Sequence, residues 1–144
     1  MFSKACEYAI RSVIYIATSS LDNKRVGFKE IAKEIDAPEA FTAKVLQKLS
    51  KNNIIESSRG VGGGFEISLH SMDKMMLSEI VDLFDGDKIY RGCGLGLEKC
   101  SEDHPCPIHD DFKAIRDNLS YLLNTTSILA LTEGLKAGNN FLKL

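Results

Sequence analysis

Residues 28–68 read FKEIAKEIDAPEAFTAKVLQKLSKNNIIESSRGVGGGFEIS, and this stretch decides the fold. Phe28, Ile31, Ala32 and Ile35 recur at helical spacing and predict a short helix over Phe28–Ile35. Asp36-Ala37-Pro38 breaks it, and Pro38 suits the first turn of the next helix, where its missing N–H would have no partner anyway. That helix, Pro38–Lys51, is expected to bury Phe41, Val45, Leu46 and Leu49 and to leave Thr42, Lys44, Gln47 and Lys48 on its outer side. Two short helices joined by a tight turn form a helix-turn-helix candidate, a weak signal alone. The next residues strengthen it: Ile54-Ile55, a polar run, the cluster Gly60-Val61-Gly62-Gly63-Gly64, then the alternating Phe65, Ile67 and Leu69 describe a hairpin with a glycine-rich tip. A hairpin directly after such a helix pair is a wing.

Outward from this unit the chain is mostly helical. Phe2, Ala5, Ala9, Ile10, Val13, Ile14, Ile16 and Ala17 predict an amphipathic helix from about Ser3 to Ser19. Leu77, Ile80, Val81 and Phe84 predict a short helix ending at Asp85-Gly86, and the polar segment from Asp87 to Pro107 reads as a loop. Ile108, Phe112, Ile115, Leu119 and Leu122, spaced four, three, four and three, form a coiled-coil seam that wants a partner helix. A last helix is expected from Ser127 to about Leu135. The expected fold is mainly α: a winged helix-turn-helix with a small β-hairpin wing and a long C-terminal dimerisation helix. Its expected division is 1–85 for DNA binding, 86–107 for a cysteine-rich cluster-binding loop, and 108–144 for the dimerisation helix and C-terminal helix.

At 144 residues the chain has room for one core, and 44% hydrophobic with 26% charged residues excludes a disordered tail or a rod as a description of the whole. The net charge of -2 alone argues weakly against a nucleic-acid partner, but it averages two unlike halves. Residues 1–60 hold ten basic and seven acidic side chains, net +3; residues 61–144 hold eight and thirteen, net -5. A basic first half can face phosphate while the acidic half faces away. Glu7 and Arg11 interrupt the apolar start, so it does not read as a signal peptide, no stretch is long enough to span a bilayer, and the expected location is the cytoplasm without membrane contact.

The glycine cluster lacks the Lys-Ser/Thr of a phosphate loop and precedes a strand rather than a helix, so it reads either as a plain flexible turn or as a DNA-contacting wing tip. In the second reading Gly62 and Gly63 let the backbone lie close to DNA while Arg59 reaches phosphate or the minor groove. On the third helix, Lys44 and Lys48 fit a solvated face as well as phosphate contacts; Thr42 and Gln47 beside them can bond base edges. Cys93, Cys100, Cys106 and His109 crowd into one polar stretch, where thiolates favour a soft metal or an iron–sulfur cluster. Structural zinc is the serious rival, although neither cysteine gap is as short as zinc sites prefer, and a metal-free disulfide switch is another. Cys6 reads as a small buried side chain, and His70 and His104 as surface residues. An enzyme using Cys106 near His109 is discounted, because no orienting acid or oxyanion site is legible.

Cysteines of this kind after a winged helix and before a seam helix resemble the Rrf2 family of bacterial transcription regulators. The resemblance spans EYAIRSVIYIA at 7–17, the helix pair and Ile54-Ile55 at 28–55, SSRGVGGGFEIS at 57–68, LSEIVDLFDG at 77–86, and the cysteines. It implies a homodimer on a palindromic operator in double-stranded DNA, with the cluster loop near the dimer helix. Cys106-Pro107-Ile108-His109 is similar to IscR-like members, implying a 2Fe-2S cluster held by the three cysteines and His109. Glu7 falls near where NsrR-like members place a carboxylate from the partner subunit, implying 4Fe-4S with Glu7 as the fourth ligand. The favoured cofactor is therefore an iron–sulfur cluster, 2Fe-2S before 4Fe-4S, with zinc or none as alternatives. In one respect the chain departs from the family: six residues separate Cys93 from Cys100, one more than is common there.

Overall fold

The computed structural model describes residues 1–144. Helix α1 (Lys4–Leu21) forms because Ser3 caps it, its side chain accepting from the Cys6 N–H at 3.1 Å, and because its apolar residues are spaced to be buried on several sides. Asp85 fixes that cap in turn, accepting from the Ser3 N–H at 2.8 Å and from the Ser3 hydroxyl. Cys6, Ala9, Val13, Ile16 and Ala17 are completely buried. Around them pack α2 (Phe28–Glu34), α3 (Glu39–Lys51), α4 (Leu69–Lys74) and α5 (Leu77–Phe84), contributing Ile31, Val45, Leu46, Leu49, Met72 and Ile80 to one core.

The turn between α2 and α3 passes through Asp36 at φ 52°, a left-handed position that Asp tolerates better than most residues. Pro38 stands just before α3, at its N-cap. The strands β1 (Glu56–Ser58) and β2 (Gly64–Glu66) pair antiparallel with Ser57 opposite Phe65, and Val26 adds a bridge to Phe65 on the other edge. Gly64 is required by that approach, since a Cβ there would lie 2.9 Å from the Val26 carbonyl oxygen. The result is a winged helix-turn-helix, mainly helical with a two-stranded sheet, as the sequence predicts.

Three features differ from the sequence-based expectation. Helix α4 has no counterpart in it; Ser68 caps this helix, but of its six residues only Met72 is buried, too few to set up a period. A single turn, α6 (Lys88–Arg91), interrupts the expected loop because Tyr90 is buried and its hydroxyl donates to Asp82. Phe41 is 38% exposed instead of buried; its ring meets Tyr8 edge-on with centroids 5.5 Å apart.

The C-terminal part returns to the same body. Helix α7 (His109–Thr125) places Leu123 in a second cluster with Cys6, Leu77, Val81 and Tyr90. Between α7 and α8 (Ile128–Lys136) the backbone is stitched to the α4–α5 turn: the Leu77 N–H donates to Thr126 O and the Ile128 N–H to Met75 O, both at 2.9 Å. Ile128 then enters the main core beside α1. No helix is long and apolar enough to cross a membrane.

If α8 completes the core of the helix-turn-helix unit, Ile128→Ala should destabilise the whole chain by about 2–5 kcal/mol in one cooperative urea transition. A loss below about 0.5 kcal/mol, the size of a typical surface change, would mean that α8 is dispensable to that core.

Candidate nucleic-acid interface and cysteine site

Helix α3 and the wing enclose a groove lined by Ala43, Gln47, Ser50, Lys51, Ser57, Ser58, Arg59, Gly64 and Phe65. Gln47 and Arg59 are exposed there, from opposite walls, and Lys44 is exposed on the same helix. Thr42 does not belong with them: it is fully buried, and its hydroxyl donates to Pro38 O at 2.9 Å. The expectation that it faces DNA is corrected, because Thr42 adjoins the buried Val45, Leu46 and Leu49 stripe rather than the outer face. Lys48 is exposed but does not line the groove; its ammonium lies 4.6 Å from the centre of the Phe84 ring, a cation–π contact with α5. Ser50, Lys51, Ser57 and Ser58 carry no distinguishing pattern in the sequence; their only signal is proximity to the turn and the wing. Gly62 and Gly63 line the other side of the wing with Lys24 and Arg25. Arg25 there pairs with Glu66 at 2.8 Å, bracing the hairpin.

The cysteine loop, 92–108, rests on α7. Gly94 permits this, since a Cβ would fall 2.8 Å from the Phe112 ring. The four expected ligands meet as two pairs. Cys93 Sγ and Cys106 Sγ are 3.8 Å apart, and Cys100 Sγ is 3.5 Å from His109 Nδ1. No three His, Cys, Asp or Glu side chains converge as a site for a single ion. Hydrogen bonds from the Leu95 and then the Leu97 backbone N–H lower the Cys93 thiol pKa below the usual thiol range, with a smaller contribution from Cys106. His109 is buried at the start of α7, and its Nε2 has no hydrogen-bond partner. Glu7 stands apart: on α1, it pairs with Lys4 at 2.8 Å. Cys6 is the opposite of Cys93, with burial first and Asp85 second pushing its thiol up to about 12. Arg116, which no motif in the sequence marks, donates to Cys100 Sγ at 2.9 Å.

These residues suit a metal–sulfur group by a simple geometric test. A tetrahedral metal about 2.3 Å from each thiolate sets two sulfurs about 3.8 Å apart, and a sulfur and an imidazole nitrogen about 3.5 Å apart. Each observed pair matches one such edge, and a metal on the second would take His109 through Nδ1 and leave Nε2 as the protonated ring nitrogen.

Of the seam residues, Ile108, Ile115 and Leu122 are exposed at seven-residue intervals, while Phe112 and Leu119 turn partly inward. One position later, His109, Arg116 and Leu123 form the buried stripe of the same helix. Helix α7 therefore shows apolar surface outward and holds the cysteine loop inward.

A winged helix-turn-helix with a basic groove between helix and wing is an arrangement that suits DNA, and comparison with known proteins gives the family. Residues 2–134 match the Rrf2 family, described as "Iron-dependent Transcriptional regulator". The chain belongs to this family of transcriptional regulators and is not an enzyme. A candidate HTH-type transcriptional regulator of Aquifex aeolicus (strain VF5) is 32% identical over 130 residues, covering 89% of this chain and 88% of that one. Among solved structures, CymR, the global cysteine regulator of B. subtilis, superposes with a TM-score of 0.72 at 19% identity, covering 92% of this chain and 96% of that one. IscR of T. potens gives 0.71 at 13% identity, covering 97% and 91%. At these identities both show the shared fold.

In the reduced, metal-free protein, iodoacetamide should label Cys93 at a pH below the ordinary thiol midpoint of about 8.5, whereas Cys6 should stay unlabelled until the chain unfolds. Peptide mass mapping reads both. Cys93 reacting no faster than free cysteine at the same pH would mean that the loop N–H groups do not stabilise its thiolate. The two shifts act on stability with opposite signs. A lowered Cys93 pKa adds stability as pH rises through its window, while the raised Cys6 pKa contributes stability that is complete below about 8.5 and lost towards about 12.

Proposed function

We propose that this chain is a homodimeric regulator that binds a palindromic operator, with its affinity set by an iron–sulfur cluster held by Cys93, Cys100, Cys106 and His109. The observation that carries the reading is the arrangement of those ligands as two edge pairs instead of one converging set. A two-iron cluster takes one pair of protein ligands on each iron, whereas zinc takes four at a single point. The pairing favours 2Fe-2S over zinc. It also favours His109 over Glu7, whose carboxylate is engaged by Lys4.

When bound, the cluster supplies one-electron redox chemistry and sensitivity to oxidants. The chain's own residues do the rest. Leu95 and Leu97 steady the Cys93 sulfur through their N–H groups, and His109 puts a ligand in the first turn of α7. The exposed Ile108, Ile115 and Leu122 pack on the same residues of a second copy across a two-fold axis, which removes an apolar stripe from water. In each subunit Lys44, Lys51 and Arg59 take phosphates, with Gly62 and Gly63 letting the wing lie close, while Gln47 reaches base edges. Two α3 helices must match successive major-groove faces, so the angle of α7 to the reading heads sets affinity.

The Cys93–Cys106 pair supports a second reading, a thiol switch. In it a peroxide accepts two electrons and two protons from the two thiols and leaves as water, and a disulfide joins the sulfurs.

Protein purified without oxygen should be brown and contain iron and sulfide at about two each per chain. Colourless protein that loses two hydrogens in mass on peroxide treatment, at Cys93 and Cys106, would replace the cluster with the thiol switch; colourless zinc protein would remove both. Ile115→Glu with Leu122→Glu should give monomers in sedimentation and weak operator binding, and an unchanged dimer would place the interface elsewhere. On DNA, Lys44→Ala or Arg59→Ala should reduce the salt slope by about one, whereas Gln47→Ala should relax sequence preference. Variants that bind operator and random DNA as the parent does would mean that the groove is not the reader.

A further inference from the structure

Arg116 is a buried cation without a carboxylate. It sits in the inward stripe of α7, seven residues after His109 and seven before Leu123, and is 8% exposed. Its Nη1 donates to Gly92 O at 2.8 Å and to Cys100 Sγ at 2.9 Å, with Arg91 O at 3.4 Å. The nearby acids are engaged elsewhere, since Asp117 and Glu102 both lie against Lys113. A guanidinium taken out of water needs an anion, and carbonyl dipoles compensate it only in part. Among its contacts, the sulfur of Cys100 alone can carry negative charge.

We infer that Arg116 is a positioning residue that ties the cysteine site to the seam helix: its guanidinium orients and neutralises the Cys100 sulfur from α7. A change in the ligation of that sulfur is thereby felt by the helix that sets the spacing of the reading heads. This rests on the proposed control of DNA binding by the cysteine site and names the side chain that transmits it. The two carbonyl bonds matter as much as the sulfur, because they anchor the guanidinium at the start of the loop, at Arg91 and Gly92, so loop and helix are gripped by one group. A hydrogen bond from a cation to a ligand sulfur also stabilises the reduced, more negative state of a cluster and raises its potential.

The test compares the full-length parent, Arg116→Gln and Arg116→Lys, each cluster-loaded and metal-free, by operator titration and by dye-mediated measurement of the midpoint potential. In the parent the two forms should differ about 5- to 150-fold in affinity. In Arg116→Gln, which loses the charge and is too short to reach the contacts that Nη1 makes, that ratio should shrink at least about threefold and the potential should fall; Arg116→Lys should lie between. A parent ratio of one would defeat cluster control itself, and this inference with it. A large parent ratio reproduced by Arg116→Gln at unchanged potential would defeat the role of Arg116 alone. Should Arg116→Gln fail to fold or load, amide hydrogen exchange of residues 110–118 in the parent decides: exchange should quicken in the metal-free form, and identical exchange in both forms would overturn the tie.

Discussion

The burial of α1 is the constraint on which the rest of the structure depends. Cys6, Ala9, Val13, Ile16 and Ala17 lose all contact with water only if several elements converge on one helix, and α2, α3, α5 and α8 do so. The small residues Ala9 and Ala17 let neighbours approach closely, and the β-branched residues between them fill the remaining space. Helix α3 is thus held at a fixed angle by Val45, Leu46 and Leu49, and its outer face is left exposed. The capping of α1 by Ser3, itself gripped by Asp85, ties this hub to the end of α5, next to the start of the cysteine segment.

Charge is distributed in keeping with that frame. The basic excess of residues 1–60 lies partly on α3 and at Arg59, while the acidic excess is spread over α5 and its end (Glu79, Asp82, Asp85), the cysteine loop and α7, where Asp110 and Asp111 occupy the first turn of the helix and favour its dipole. Most ion pairs are on the surface and contribute little to stability; Arg25–Glu66 differs in usefulness because it crosses from the strand edge to the wing.

How much of this is legible in the sequence depends on period and burial. Helices α1, α3 and α7 have long enough apolar repeats to be read directly, and the hairpin is marked by alternation around glycines. Helices α4 and α6 are not legible, because four to six residues with one buried side chain each carry no period. Thr42 is misplaced by its polarity: a threonine satisfied by the carbonyl four residues back can be fully buried, and residue type alone does not reveal that. The ligand residues are legible as a cluster of residue types, but their separation into two pairs is not, since it depends on how a loop of little regular structure folds against Phe112. Arg116 looks like any charged helix residue. Only its seven-residue spacing from His109 and Leu123 hints that it shares their inward face.

The return of α8 into the core has a consequence for how the protein is made. The apolar body around the helix-turn-helix is incomplete until Ile128 docks beside α1 and its N–H bonds to Met75. During synthesis, which runs from the N-terminus, the helix-turn-helix and wing emerge first but must wait for a segment that lies beyond the cysteine loop and the seam helix. A nascent or truncated chain therefore cannot complete the core around its helix-turn-helix before the cysteine loop and α7 have been made. The order of the helices thus sets when the fold can close, because a chain that stops short of residue 128 lacks part of its own core.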